Sequence, residues 1–289
     1  MATSPSLSPG IVAAVLAAAL LHAAWNAIAH GTPDRLVGFA VMGVTDVVGG
    51  GALALVGGFP SAQAWPYVVA SAAVHVGYNL LLLAGYQLGE FSQVYPLARG
   101  SAPLVVAAFS LLVLHRDLPV LHLAGIVAVS AGLIALVLVG GRPQRAQLPA
   151  VAAALATGLA IAGYTVIDGI GVGLGPLLGY IGWMFLLQGP AMPIVAAVRR
   201  RGRLVAALRG STARGLAGGT IAMLAYGIVL WAQTSGALAP IAALRESSIV
   251  FGALIGVVFL GERLGGRRAV AAAVVVAGVV ALATPSQLI

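Results

Sequence analysis

Two arginines stand inside segments otherwise apolar enough to cross a membrane. Arg99 lies in Tyr95-Pro96-Leu97-Ala98-Arg99-Gly100-Ser101-Ala102-Pro103, ahead of the apolar run Leu104 to Leu114. Arg245 stands beside Glu246 in a second such segment, Pro240 to Glu262. A charged side chain near the bilayer centre costs from about 2.5 to over 10 kcal/mol, so such residues usually line a path or a site. The chemistry a guanidinium offers there is capture of a carboxylate or phosphate by its planar fork of donors. The competing reading is an internal ion pair, for which Asp46 and Glu246 are the carboxylates at hand. Neighbouring residues on a helix point about 100° apart, so Arg245 and Glu246 are not expected to pair directly with each other.

Polar and aromatic residues recur at the spacing of one helix face. His22, Trp25 and Asn26 stand at i, i+3 and i+4, and His75, Tyr78 and Asn79 repeat the pattern. Tyr95 precedes Arg99 by one turn, and Tyr164 precedes Asp168 likewise, although Asp168 reads equally well as an end cap. Tyr226, Trp231 and Gln233 could complete an aromatic wall. Stacks of this kind line an aqueous cavity; the bland alternatives are an interfacial aromatic belt and helix–helix hydrogen bonding. The substrate-binding candidates are therefore Arg99, Tyr95, His75, Tyr78, Asn79, Trp25, Asn26, His22, Tyr164, Tyr226, Arg245 and Glu246. Asp46, His22 and His75 are the candidates for charge partner or for proton coupling, since histidine titrates near neutral pH.

The elements that must hold these residues follow from composition. The 289 residues are 61% hydrophobic and 8% charged, with mean hydropathy +1.06, whereas a soluble domain carries roughly 25% charged residues. Folding still leaves a large surface exposed, so water is excluded as the only solvent. Continuous apolar runs, rather than short alternating ones, exclude an outer-membrane barrel. The expectation is an all-α polytopic membrane protein in the cytoplasmic membrane. Cysteine is absent, which removes disulfides, thiolate catalysis and cysteine-bound metals. No ATP-binding loop, His-Glu-x-x-His or nucleophile elbow appears, so neither an enzyme nor a cofactor or metal is expected. The partners are the lipid bilayer, a small-molecule substrate and a proton or other coupling ion. Monomer and homodimer both stay open. The net charge of +8 is assigned to topology rather than to nucleic acid.

With about 20 apolar residues per span, ten spans are expected, near 10–29, 36–57, 65–87, 92–114, 119–139, 149–168, 175–198, 215–236, 239–260 and 268–285. The N-terminus lacks a signal peptide's charged n-region and cleavage site, so its first run reads as a retained span. Gly49-Gly50-Gly51 and the glycine-rich 169–175 stretch are expected points of bending or unwinding. The basic stretch 199–214 is expected to lie as a loop on the anionic leaflet surface. Odd-numbered loops hold twelve arginines and even-numbered loops only Arg116, which places the odd loops in the cytoplasm and both termini outside. The two halves resemble each other in order and spacing: Asp117 ends span four as Glu262 ends span nine, 145 residues later. Five spans per copy make the second copy inverted, the arrangement of transporters with a midplane site. Two five-helix repeats, 1–144 and 145–289, are expected.

Five plus five spans, Ala102-Pro103 followed fourteen positions later by Asp117, and Gly261-Glu262-Arg263-Leu264 before the last span resemble the EamA branch of the drug/metabolite transporter superfamily. The resemblance covers nearly the whole chain. It implies a secondary transporter, often an exporter of amino acids or other small polar metabolites, with a central cavity built by spans one, three, four, six, eight and nine. Asp117 stands where the family usually has Glu, and His115-Arg116 where Leu-Gly is common. The family's termini are commonly cytoplasmic, against the charge pattern here. A flippase for a lipid-linked anionic head group is the rival reading within the membrane; a non-transporting membrane enzyme or assembly factor is the rival of a different class.

Overall fold

The structure is a computed structural model that describes residues 7–30, 32, 34–88, 91–138, 145–200, 204–260 and 265–284. Twelve α-helices account for nearly all of them, and no strand occurs among the described residues. They are α1 (Pro9–His30), α2 (Arg35–Gly57), α3 (Trp65–Leu88), α4 (Phe91–Leu112), α5 (Val120–Leu138), α6 (Leu148–Gly171), α7 (Leu177–Gln188), α8 (Ala191–Arg200), α9 (Leu204–Gln233), α10 (Leu238–Arg245), α11 (Ser248–Leu260) and α12 (Gly266–Ala283). Nine stretches among the described residues are long and apolar enough to cross a membrane, and α12 supplies a shorter apolar helix. The all-α polytopic architecture is therefore present.

The helices depart from the expected spans in three places, each with a local cause. Span seven is two helices, because Pro190 has no N–H to donate and interrupts the ladder between α7 and α8. Span nine breaks after Arg245, where Glu246 and Ser247 donate backbone N–H to Ala243 and Leu244, three residues back, at 3.1 Å. Those tightened bonds are the 3₁₀ geometry that ends α10. Finally, the stretch expected as a surface loop joins α9 from Leu204 onward. Its leucines, alanines and arginines are good helix formers, and thirty residues make about 45 Å of helix, longer than the hydrocarbon core of about 30 Å.

Gly49-Gly50-Gly51 does not unwind α2, which runs through it unbroken. It allows close approach instead: a Cβ on Gly50 would stand 2.7 Å from the Leu186 backbone nitrogen of α7. Small residues of this kind let helices meet in lipid. The 169–175 stretch does end its helix, α6 passing into a 3₁₀ turn at Val172–Leu174.

The principal packings join α2 to α7 and α9, α5 to α12 and α4, α3 to α6 and α7, α1 to α9, α4 to α6, and α1 to α10 and α11. Exchanging each span with the one five places later carries most of this set onto itself, the α4–α5 packing having only a weak counterpart where α10 and α11 meet α12. Contacts between loops also sort by parity. Asp34, before α2, pairs with Arg200 at the end of α8, Oδ2 to Nε 2.8 Å; Arg116, after α4, donates to the Gly236 carbonyl after α9.

Asp34 also caps α2, its Oδ1 accepting from the Val37 N–H at 3.3 Å. Partial burial works to raise its carboxyl, but the Arg200 hydrogen bond and the backbone donors outweigh it and hold the group below the ordinary carboxylate value. A depressed folded value means this contribution is complete above about pH 4 and fades as pH falls through that lower value. Thermal melts in detergent from pH 7 to pH 3 should therefore show wild type converging on Asp34→Asn only at the acid end. A constant gap between the two would contradict the cap and pair.

Candidate functional site

α4 carries Arg99 into the middle of the bundle, where α10 ends. Arg99 Nε lies 3.0 Å from Glu246 Oε2, and its Nη2 donates to Ser248 Oγ at 3.2 Å. Arg245 Nε lies 3.5 Å from the other oxygen, Glu246 Oε1. One carboxylate thus sits between two guanidiniums. The expectation that Arg245 and Glu246 would not pair is corrected here: Glu246 is the cap of α10 rather than a residue inside a helix, so the 100° rule does not govern it. Asp46 is not the arginines' partner either; its Oδ2 accepts from Gln188 Nε2 at 3.3 Å.

Arg99 is 1% exposed, Arg245 3% and Glu246 0%, so the cluster is sealed from lipid and from both aqueous faces. Recesses stand on either face of the bundle. One, of about 10 Å³, is lined by Arg35 and Arg214 on the odd-loop face. The other, of about 20 Å³, is lined by Arg116, His122 and Gly236 on the even-loop face. The cluster carries one positive charge more than its carboxylate neutralises. Buried ions are retained only with excellent geometry or a further partner, and an anionic ligand is such a partner.

Aromatic rings from four helices surround the arginines. Tyr95 lies 5.6 Å from the Arg99 guanidinium and Tyr164 5.8 Å from that of Arg245, both within cation–π range. His75 stacks on Tyr164 at 4.0 Å. Tyr78 and Tyr226 meet Tyr164 edge-on at 5.6 and 5.7 Å. The His75 ring is held by Ser71, whose carbonyl lies 3.0 Å from Nδ1. The structure therefore brings together Arg99, Tyr95, His75, Tyr78, Tyr164, Tyr226, Arg245 and Glu246.

The face of α1 is more local. Trp25 Nε1 donates to His22 Nδ1 at 3.1 Å and Asn26 Nδ2 to the His22 carbonyl at 2.7 Å, while His22 lies within electrostatic reach of both arginines. Asn79 is half-buried and makes no side-chain hydrogen bond among the described residues. Trp231 is 48% exposed and turned to the outside of the bundle, whereas Gln233 is buried. Gly261-Glu262-Arg263-Leu264 lies outside the described residues.

Asp168 is the member that sequence spacing underplays. It is wholly buried, accepts from Tyr180 Oη at 2.8 Å and accepts from Tyr226 Oη. Its one sequence signal is the i, i+4 relation to Tyr164; the two tyrosines that hold it come from other helices. Ser248, the hydroxyl on Arg99, gives no signal at all. With its carboxylate occupied by phenols, Asp168 fixes the Tyr226 ring against Tyr164 and so against Arg245. Tyr226→Phe should leave one Asp168 oxygen without that donor. The expected loss is about 1–3 kcal/mol, read as a lower Tm in detergent, with Tyr180→Phe giving a similar loss and an unchanged Tm arguing against the anchoring role.

No curated protein matches this chain. A solved crystal structure is similar in fold, with TM-score 0.74 and 20% identity over 94% of this chain and 97% of that one. Residues 148–284, most of the second half of the chain, match the model of the EamA-like transporter family.

Proposed function

We propose that the protein exports a small organic anion or zwitterion, an amino acid or a similar metabolite, by alternating access around Arg99. The observation that carries this reading is the pair of buried arginines sharing one carboxylate at the bundle centre. A solute carboxylate can compete with Glu246 for a guanidinium, and the tyrosines and His75 supply a wall for its side chain. A cluster this deeply buried fits an occluded stage of such a cycle. The exchange symmetry of the helix packings supports two inverted repeats, 1–144 and 145–289, that rock against each other. The arginine-rich odd loops support a cytoplasmic placement of that face, with both termini outside in the cytoplasmic membrane. A terminal reporter fusion active only in the cytoplasm would overturn the orientation.

The test is uptake and counterflow of radiolabelled amino acids in liposomes containing the purified protein. Losing a charge-assisted hydrogen bond removes about 1.5–3 kcal/mol, so Arg99→Ala should weaken solute affinity roughly ten- to hundredfold. Arg99→Lys keeps the charge but not the fork and should fall between. Equal flux in wild type and Arg99→Ala would sink the role of Arg99. Movement of a labelled anionic lipid, with no flux of any soluble solute, would instead favour a flippase.

A further inference from the structure

We propose that Asp46 and Gln188 form a proton-binding site that couples proton movement to transport; the inference rests on the transport reading above. Asp46 lies within α2 on the side that meets α7, and Gln188 is the last residue of α7. The Gln188 amide donates to Asp46 Oδ2 at 3.3 Å. Its other end has no partner: Gln188 is 7% exposed, and its Oε1 finds no donor among the described residues.

An ionised carboxylate only accepts, and an amide carbonyl only accepts. With Asp46 ionised, the pair offers one hydrogen bond and strands the buried carbonyl. A proton on Asp46 changes that count. The acid's O–H can donate to Gln188 Oε1 while the amide N–H donates to the acid's other oxygen, closing a reciprocal two-bond pair. The unsatisfied carbonyl is thus the shape of a missing proton.

The charge balance points the same way. At the bundle centre Arg99 and Arg245 both face Glu246, whereas the contact Asp46 makes among the described residues is with Gln188. Asp168 is held by the phenols of Tyr180 and Tyr226, and Asp46 has neither an arginine nor a phenol against it among the described residues. Other titratable or charged side chains come from every element around α2: Arg35 on α2 itself, His22 on α1, His75 and Tyr78 on α3, Tyr180 on α7, Arg199 and Arg200 on α8, Arg214 and Tyr226 on α9. His22 is engaged by Trp25, Arg200 by Asp34, and both Tyr180 and Tyr226 by Asp168. None of them is the group acting on Asp46, which is Gln188.

Placement gives the proton a consequence. Gln188 immediately precedes the Gly189-Pro190 break in span seven, and α2 and α7 form one of the packed span pairs that the five-place exchange maps onto themselves. Protonated, Asp46 latches α2 to that break through two hydrogen bonds; deprotonated, it holds through one. The proton arrives from water on one face and leaves to water on the other, and no other bond is made or broken.

The experiment has two arms on the reconstituted full-length protein. The first is infrared difference spectroscopy between acid and alkaline pH. It should show a carboxylic acid C=O band that Asp46→Asn removes and that Gln188→Glu shifts to higher pH, because two adjacent carboxylates share a proton. The second measures radiolabelled amino acids with the membrane potential clamped at zero. One proton per solute supports about tenfold accumulation per unit of pH gradient. Wild type should approach that, while Asp46→Asn should accumulate nothing yet keep counterflow within about twofold. A band unchanged in Asp46→Asn, or equal gradient-driven accumulation in both proteins, overturns the proposal. Absence of counterflow in wild type for every amino acid sinks the amino-acid reading instead, and the infrared arm still decides whether Asp46 holds the proton.

Discussion

Glu246→Gln is expected to destabilise the protein by about 3–5 kcal/mol, the range for removing one partner of a buried ion pair. Two guanidiniums face this carboxylate from 3.0 and 3.5 Å. Without its charge they face each other in a site closed to water. Glutamine keeps the shape, so the loss reports charge rather than packing. At roughly 2–4 °C per kcal/mol for a chain of this size, Tm in detergent should fall by about 10 °C. Arg245→Met in the same background removes the repulsion and should recover part of the loss, leaving the double mutant better than additive. Added acetate should stabilise Glu246→Gln more than wild type, because the variant's arginines lack a counter-charge. If Glu246→Gln melts within a degree or two of wild type, the carboxylate is not what balances the arginines, and the site must be redrawn.

Part of that site is legible in the amino-acid sequence. Membrane spans announce themselves by length and hydropathy, since hydrocarbon admits few other sequences. Intramembrane charges announce function because they are expensive. Hence the helices, Arg99, Arg245 and Glu246, and the face of His75 and Tyr78 can all be read from spacing alone. What spacing hides depends on contacts between distant parts of the chain. Asp168 resembles an end cap because Tyr180 and Tyr226, 12 and 58 residues away, are not its neighbours on a helix. The Glu246–Ser247 break is invisible because nothing in Arg-Glu-Ser-Ser forbids a helix. That single turn decides whether Arg245 and Glu246 point apart or meet. Pro190, by contrast, is a visible breaker in a run whose apolar composition still reads as one span.

The second large effect concerns the floor on which Arg99 rests. α4 lies on α6 at Gly158, where an added Cβ would collide with Ser101 Oγ and stand 2.8 Å from the Ala98 carbonyl oxygen. The hydroxyl can rotate away; the carbonyl is backbone and cannot. Ala98 and Ser101 flank Arg99 on α4, so the strain falls on the residue pair that aims the guanidinium at Glu246. On helix propensity alone, glycine to alanine gains up to about 1 kcal/mol. Overpacking costs about 1–3 kcal/mol, and the closer the fixed atom the nearer the upper end. The clash should win, so Gly158→Ala is expected to lower Tm by several degrees and to reduce flux as α4 is pushed off α6. Gly77→Ala is the matched comparison, because a Cβ there meets nothing within 4 Å although Gly77 adjoins Tyr78 on α3. Only the propensity gain acts at that position, and its Tm should hold or rise. Opposite signs at two helical glycines would separate close approach from intrinsic helix preference. Two rises would mean that α4 has room to move at Gly158, and the tight seat of Arg99 would have to be abandoned.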